Sequence, residues 1–396
     1  MSQMRIACGA AVAFVCLMGT AAVAEDLAPI EQLGKALFFD TNLSTPPGQS
    51  CAACHAPEVG FTGPHSETNA HGAVYQGAVR NRFGNRKPPS VAYGGGSPVL
   101  HLDETEGLFI GGMFWDGRAT GWTLGDPLAE QAQGPFLNPL EQNNPTAKIV
   151  VIKVSKSSYA KLFEEVWGPG SLDFKKDVAG TYERIARSIS AYEKSKEVNP
   201  FSSKYDYYLK GLATLTEQEA KGLELFEGKA RCSTCHISQV GPNGEPPLFT
   251  DFTYDNLGVP KNPENPFYTV SAEWNPDGAG WIDPGLGGFL ASTDLYADLA
   301  DENWGKHKVP TLRNVDKRPY PEFVKAFGHN GYFKSLEEIT HFYNTRDVEA
   351  WPPPEVPMNI NTDELGNLGL TADEEAAVVA FMKTLSDGYV PPASSE

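Results

Sequence analysis

The chain has 396 residues, of which 41% are hydrophobic, with 50 acidic and 32 basic side chains and a formal net charge of −18. This hydrophobic fraction supports buried cores and argues against a disordered or fibrous protein. The acidity argues against a nucleic-acid partner, because few cations are available to neutralise phosphates. The long apolar run lies at the extreme N-terminus, which argues against a protein embedded in the membrane.

Residues 1–24 have the pattern of a secretory signal peptide. Arg5 precedes an apolar stretch that ends at Met18, and Ala22-Val23-Ala24 forms an A-x-A cleavage site. The stretch is short for a membrane anchor. We therefore expect cleavage after Ala24 and export to the periplasm.

Cleavage would remove Cys8 and Cys16 and leave four of the six cysteines, which form two copies of one motif. The copies are Cys51-Ala-Ala-Cys54-His55 and Cys232-Ser-Thr-Cys235-His236. C-x-x-C-H is the attachment signature of c-type haem. On a helical turn the two thiols share a face and can form thioethers, and the adjacent imidazole can bind the iron. A dithiol redox pair or a zinc–thiolate site would not need the histidine. Two covalently attached haem c groups are therefore predicted.

Helices are the elements that the sequence predicts. Apolar residues at helical spacing predict a helix over 177–197. Capping boxes at Thr216, Ser335 and Thr371, each with glutamate three residues later, predict three further helix starts, and the last helix should stop near Gly388. Stretches rich in proline and glycine are expected to be loops around the haems, at 41–48, 84–98 and 241–288.

A weak internal repeat accompanies the two cysteine motifs. Gly34-Lys-Ala-Leu-Phe precedes the first motif, and Gly222-Leu-Glu-Leu-Phe precedes the second. We expect a mostly α fold of two c-type cytochrome domains, each with one covalent haem, joined by loops rich in proline and glycine. The expected ranges are 25–200 for the N-terminal domain, 201–390 for the C-terminal domain and 391–396 for a tail.

Longer sequence segments around these motifs resemble those of the bacterial dihaem cytochrome c peroxidase family, which includes MauG-like enzymes. In the family's order they are LGKALFFD at 33–40, MFWDGR at 113–118, QAQGPFLNPLE at 131–141, VPTLRN at 309–314 and GHNG at 328–331. The resemblance implies an active site at the N-terminal haem, where hydrogen peroxide binds the iron opposite His55.

The resemblance also implies roles for side chains near that haem. Glu141 matches the glutamate that takes a proton from iron-bound oxygen and returns it to the leaving oxygen, which is typically worth about 10²- to 10⁴-fold in rate. Gln131 matches a glutamine that can hydrogen-bond bound oxygen species. Trp115 matches a tryptophan between the haems that can relay an electron; the alternative is a core tryptophan with its N–H satisfied. Asp116 and Arg118 are expected to pair with each other or with haem propionates.

The ligand opposite His236 distinguishes two branches of the family, because haem potential varies by about 0.8 V with its axial ligands. Conventional dihaem peroxidases place methionine there, and MauG-like enzymes place tyrosine, which favours ferric and higher oxidation states. The resemblance puts Tyr343 at this position. Met358 is the methionine that could take its place, and Tyr343 is the preferred ligand of the two.

Two further features of the family have candidate residues here. His71 follows the first motif, where conventional members have a loop histidine that caps the peroxide site; MauG-like enzymes leave the site open. The family also tends to hold calcium between the domains through an asparagine. Here Lys87 stands at that position, and a lysine cannot coordinate calcium, which takes oxygen ligands. Asn85 or backbone carbonyls are the remaining candidates.

The leading hypothesis is a periplasmic MauG-like oxidoreductase that uses hydrogen peroxide and oxidises a partner protein by long-range electron transfer. The alternative is a conventional cytochrome c peroxidase that reduces peroxide to water with electrons from a small cytochrome or cupredoxin. A non-catalytic electron-transfer cytochrome is the third hypothesis. The acidic surface would suit a basic protein partner.

Overall fold

The computed structural model describes residues 27–392. The predicted signal peptide, 1–24, and residues 393–396 of the predicted tail lie outside this range. The fold is mostly α, as expected. The α-helices of the described range are α1 (Pro29–Phe39), α2 (Ser66–Ala70), α3 (Pro127–Leu137), α4 (Ala147–Ser155), α5 (Ala160–Trp167), α6 (Val178–Glu193), α7 (Lys204–Leu209), α8 (Glu217–Glu227), α9 (Gly285–Leu290), α10 (Leu336–Thr345) and α11 (Ala372–Lys383).

Within residues 27–392, the β-strands form two short antiparallel pairs, and isolated β-bridges occur outside them. The first pairs β1 (His101–Asp103) with β2 (Leu108–Ile110), and the second pairs β3 (Tyr254–Asp255) with β4 (His307–Lys308). Over residues 27–392, no helix is both long enough and apolar enough to cross a bilayer.

The predicted helix starts are confirmed by hydrogen bonds at the caps. Thr216 and Thr371 each form a complete capping box with the glutamate three residues later. Ser335 accepts the N–H of Glu338, but the Glu338 carboxylate accepts the N–H of Lys334 rather than that of Ser335, so this box is half formed. The helix predicted over 177–197 is α6, which ends at Glu193, before turns that lead out of the first core.

Two apolar cores account for most of the buried hydrophobic side chains. One is built from residues between 33 and 198, and the other from residues between 205 and 385. In the first, α1 crosses α6, and in the second, α8 crosses α11. The rings of Phe38 and Tyr192 meet edge to face in the first crossing, and those of Phe226 and Phe381 do so in the second.

The internal repeat is explained by these crossings. A Cβ on Gly34 would lie 1.8 Å from the Ser188 carbonyl oxygen, and a Cβ on Gly222 would lie 1.9 Å from that of Ala377. Neither distance is compatible with a side chain, so glycine permits the helices to approach this closely. The two repeated sequence segments therefore form the same kind of close helix crossing, one in each core.

We expect Gly222→Ala to destabilise the protein by about 1–3 kcal/mol or more, since the new methyl group forces the α8–α11 crossing apart. Urea unfolding of the purified protein measures this loss. Gly280→Ala is the matched control, because a Cβ there would have open space around it. Equal stability of the two variants would contradict the crossing argument.

Candidate functional site

The two cysteine motifs lie on short 3-10 turns that have the same hydrogen-bond pattern. The turns span Cys51–Ala53 and Cys232–Thr234. In each, the backbone N–H of the following histidine donates to the carbonyl of the first cysteine, at 3.0 Å for His55 and 2.9 Å for His236. The four thiols are free, so neither pair forms a disulfide. Burial raises the pKa of Cys54, Cys232 and Cys235 to about 12, so these thiols are neutral at pH 7.

Both motif histidines are held as neutral imidazoles. Nδ1 of His55 lies 3.2 Å from the Phe61 carbonyl oxygen and 3.0 Å from that of Pro89, and Nδ1 of His236 lies 2.8 Å from the Phe249 carbonyl oxygen. Because carbonyls only accept, Nδ1 carries the proton and the lone pair is on Nε2. Burial lowers the pKa of His55 to about 4 and also lowers that of His236. An imidazole oriented by a carbonyl in this way is the usual form of a metal-binding histidine.

A cavity of about 1710 Å³, counting its open mouth, lies beside the second motif. Its wall contains Cys232, Cys235, His236 and Tyr343. Much of the wall is apolar, including Phe226, Leu257, Val259, Leu312, Leu336, Ile339, Leu368, Leu370, Val378 and Met382. Paired thiols, an oriented neutral imidazole and an apolar wall fit the chemistry of haem c.

Of the two candidate ligands opposite His236, only one is in this cavity. Tyr343 projects from α10, is partly buried and lines the cavity with His236. Burial raises the pKa of its phenol above the usual range, and the neighbouring Cys232 and Asp255 act in the same direction. The Met358 residue is 51% exposed and is not part of the cavity wall, and its carbonyl accepts a hydrogen bond from the Asn256 amide.

Glu141 lies close to the first motif. It follows α3, and its carboxylate accepts a hydrogen bond of 2.8 Å from the Asn138 side chain. Burial raises the pKa of Glu141, against the opposing effects of Arg118 and Asn138. The charge of Glu141 in turn helps to raise the pKa of both Cys51 and Cys54, which puts the carboxyl within electrostatic reach of that motif. Gln131, on α3, is partly buried.

Trp115 is 7% exposed and lies in the cavity wall. Its indole N–H donates to the Lys87 carbonyl at 2.8 Å, and its own carbonyl accepts the N–H of Lys308 at 2.8 Å. The cavity beside His236 also touches Pro89, whose carbonyl holds His55. Trp115 therefore lies in a cavity wall that contains residues near both motifs.

The residues at the expected calcium position do not fit that ion. The ammonium group of Lys87 is partly buried there, and it lies 3.1 Å from the Pro88 carbonyl oxygen and 3.3 Å from Thr62 Oγ1. Burial lowers the pKa of Lys87 to about 8. The Asn85 carbonyl is already an acceptor for the Asn265 amide. A dication would compete with the Lys87 ammonium group for the same two oxygen atoms.

His71 is on the surface at the end of α2. Its ring nitrogens lie 3.2 Å from a Glu67 carboxylate oxygen and 3.3 Å from one of Glu264. Both carboxylates raise the pKa of His71, and Glu264 has the larger effect. In this conformation both ring nitrogens of His71 contact surface carboxylates instead of pointing to an iron site.

A buried polar cluster joins the two halves of the chain and was not predicted as a unit. Arg86 donates two hydrogen bonds of 2.6 Å to Asp283 and one of 2.6 Å to Asp116. The expected pairing of Asp116 with Arg118 is present, at 2.8 Å. His307 and His329 stack with ring centroids 3.6 Å apart, and Nε2 of His307 lies 3.2 Å from Asp283. Because Asp283 is already neutralised by Arg86, we interpret this cluster as structural.

Glu193, at the end of α6, is a second group that the sequence did not reveal. It is 2% exposed, and one of its carboxylate oxygens has no hydrogen-bond partner. Burial, with a smaller effect of Asp126, raises its pKa to about 8. Its charge also helps to raise the pKa of Cys51, so it lies near the first motif. Glu193 differs from the many exposed glutamates only in its burial by distant parts of the chain. The sequence pattern around it therefore could not identify it.

Glu193 should make the protein less stable as the pH rises. An unfolded glutamate has a pKa of about 4.3, so the folded state binds the Glu193 proton more tightly and loses stability between about pH 4 and pH 8. Glu193→Gln should remove this part of the pH dependence and raise the melting temperature most at pH 8 and above. Thermal unfolding at pH 6 and pH 9 measures it, with exposed Glu165→Gln as control. Parallel pH profiles for wild type and Glu193→Gln would refute the assignment.

The chain is similar to known proteins along its whole length. Residues 28–214 match the family model described as di-haem cytochrome c peroxidase. Methylamine utilization protein MauG from Paracoccus denitrificans is 34% identical over 413 residues, which cover 100% of this chain and 98% of that protein. The chain belongs to the dihaem cytochrome c peroxidase/MauG family. It is thus a hydrogen-peroxide-dependent dihaem oxidoreductase.

Other members of the dihaem cytochrome c peroxidase/MauG family are also similar along most of their length. Cytochrome c551 peroxidase from Nitrosomonas europaea is 29% identical, covering 92% of this chain and 82% of that protein. The crystal structure of the diheme peroxidase BthA from Burkholderia thailandensis superposes with a TM-score of 0.76 at 30% identity, over 95% of this chain and 91% of that one. The family likeness therefore extends across both cores.

Proposed function

We propose that this family member is a periplasmic, MauG-like enzyme that uses hydrogen peroxide to oxidise a partner protein by long-range electron transfer. Its two c-type cytochrome domains would span 25–200 and 201–390. Cys51 and Cys54 would hold one haem c with His55 as ligand. Cys232 and Cys235 would hold the other, with His236 as ligand.

The position of Tyr343 carries the MauG-like assignment. Its phenol shares a cavity with His236 and both thiols of the second motif, whereas the Met358 residue is half exposed outside that cavity. A conventional peroxidase needs a methionine ligand, and the exposure of Met358 argues against that role. The contacts of His71 with two surface carboxylates support an open first site.

The bound haem would supply an iron that binds peroxide and gives up electrons for cleavage of the O–O bond, and these electrons would be regained from the partner protein. Glu141 would take the proton from the proximal peroxide oxygen and deliver it to the departing one. A carboxyl with a raised pKa is suited to both transfers near neutral pH. Asn138 fixes the direction of that carboxyl through its 2.8 Å hydrogen bond. Gln131 would donate a hydrogen bond to the bound oxygen species.

Trp115 would carry electrons between the two haem sites. Its N–H is satisfied by the Lys87 carbonyl, so the indole is fixed in orientation, and Trp115 is part of the cavity wall. The hydrogen bond alone suits a core tryptophan, and the place of Trp115 in the cavity wall supports the relay.

Glu141→Gln should lower kcat for peroxide turnover by about 10²- to 10⁴-fold, because an amide cannot accept and return the proton. Stopped-flow spectroscopy of the haem-loaded protein with hydrogen peroxide measures it. Exposed Glu58→Gln, near the same motif, should react like wild type. Unchanged kinetics in Glu141→Gln would remove Glu141 from the mechanism and favour a non-catalytic electron-transfer cytochrome.

Tyr343→Phe should abolish the tyrosinate signature of the second haem in the resonance Raman and EPR spectra of the oxidised protein. Met358→Leu should leave both spectra unchanged. The oxidised wild type should react with peroxide without prior reduction. A methionine-ligated spectrum that disappears in Met358→Leu, with peroxide reactivity only after one-electron reduction, would instead show a conventional cytochrome c peroxidase.

A further inference from the structure

The ion pairs of the buried polar cluster leave its two stacked histidines unexplained. His307 is 9% exposed and His329 is 8% exposed. Within residues 27–392, Nε2 of each ring is buried and has no hydrogen-bond partner. Burying an unpaired polar atom costs free energy, so such atoms normally meet a hydrogen-bond partner or a ligand. The two Nε2 atoms are therefore candidates for ligand binding.

Each unpaired Nε2 atom lies beside a buried carboxylate. Nε2 of His307 is 3.2 Å from an Asp283 oxygen, and Nε2 of His329 is 3.4 Å from a Glu355 oxygen. Neither pair is aligned as a hydrogen bond. In a tetrahedral metal site with bonds of about 2.1 Å, neighbouring donor atoms lie about 3.4 Å apart. Donor atoms of Asp283, His307 and His329 all lie within 4.8 Å of one another, which suits a single ion.

The carboxylates of the cluster outnumber the guanidinium groups that pair with them. Asp116, Asp283 and Glu355 are all buried. Arg86 pairs with both aspartates, and Arg118, whose side chain is partly exposed, pairs with Asp116. In the described part of the chain, Glu355 has no salt bridge to a lysine or arginine. A cation at the two imidazoles would offset the remaining negative charge, whereas an anion, such as a haem propionate, would be repelled.

The donor set favours a transition metal ion over calcium. Burial lowers the pKa of His307 to about 4, and the neighbouring His329 acts in the same direction, so the His307 imidazole is neutral at pH 7. A neutral imidazole can offer a ring-nitrogen lone pair to a metal. Imidazole nitrogen with carboxylate oxygen suits zinc and its neighbours in the first transition row, whereas calcium takes oxygen ligands.

We propose that His307, His329 and Asp283 bind one zinc ion, with Glu355 as the nearest further donor. Two adjustments accompany binding. The imidazole rings turn out of their stack so that both lone pairs point to the ion. Oδ1 of Asp283 exchanges its hydrogen bond with one Arg86 nitrogen for the metal, while Oδ2 keeps its 2.6 Å bond to Arg86 Nε.

The proposed ion would lie next to the residues that hold Trp115. Lys308, which follows His307, donates its N–H to the Trp115 carbonyl. The His329 carbonyl accepts the N–H of Lys87, whose own carbonyl accepts the indole N–H. A bound ion would therefore stabilise the folded protein and fix the backbone on both sides of Trp115.

The haem-loaded protein, stripped with EDTA and dialysed against zinc chloride, tests this proposal. Plasma mass spectrometry should find one zinc per chain, and X-ray absorption at the zinc edge should show two imidazole nitrogens at about 2.0–2.1 Å. Zinc should raise the melting temperature of the stripped protein, because it binds the folded state. His307→Gln and His329→Gln should each weaken zinc binding by about 100-fold or more, since even outer-shell substitutions cost 10- to 100-fold.

The matched control is His71→Gln. His71 also lies between two carboxylates, but its side chain is 60% exposed, so this variant should bind zinc like wild type. Loss of zinc in His71→Gln, with binding intact in His307→Gln and His329→Gln, would assign the ion to the surface and overturn the proposal. Zinc bound by oxygen atoms alone, or retention of calcium instead of zinc, would also overturn it. The zinc count and absorption spectrum of the wild type do not require any variant to fold.

Discussion

The close approach of two helix pairs is the constraint on which the rest of the structure depends. At Gly34 and at Gly222 the backbones come so near that the facing carbonyl occupies the space of a Cβ. This contact fixes the direction in which α1 and α8 leave their cores, and a cysteine turn packs against each of them. Oriented imidazoles, buried thiols and the apolar cavity all follow from having the turns held in place. A polar site of this precision needs a rigid support beneath it.

Local features were predictable from the sequence, because they depend on residues close together in the chain. The cysteine turns, the caps at Thr216 and Thr371 and the start of α6 are of this kind. The end of α6 was predicted four residues too late, at 197 instead of Glu193, since apolar spacing alone does not show where tertiary packing stops supporting a helix. Burial of Glu193, stacking of His307 on His329 and the exposure of Met358 depend on contacts between distant segments, which no local pattern encodes.

Basic side chains outnumber acidic ones in the cavity wall, although the chain as a whole has a net charge of −18. Three of the basic side chains are lysines, of which Lys325 is buried and Lys87 and Lys308 are partly buried. Burial lowers the pKa of each, to about 7 for Lys308. Their ammonium groups donate to backbone carbonyls; Lys325, for example, donates to those of Val59, Asn314 and Lys317. These bonds offset the desolvation cost and tie loops of the two cores together.

The cavity beside His236 takes part of its wall from the other half of the chain. Gly60, Thr62, Lys87, Pro89, Ser90 and Trp115 all contribute to it, although they belong with the first motif. The two halves are therefore not interchangeable modules. A chimera that transplanted residues 201–390 onto the N-terminal half of another family member would recover this cavity only if those six positions moved with it, and substitutions in either half must be compatible with the other.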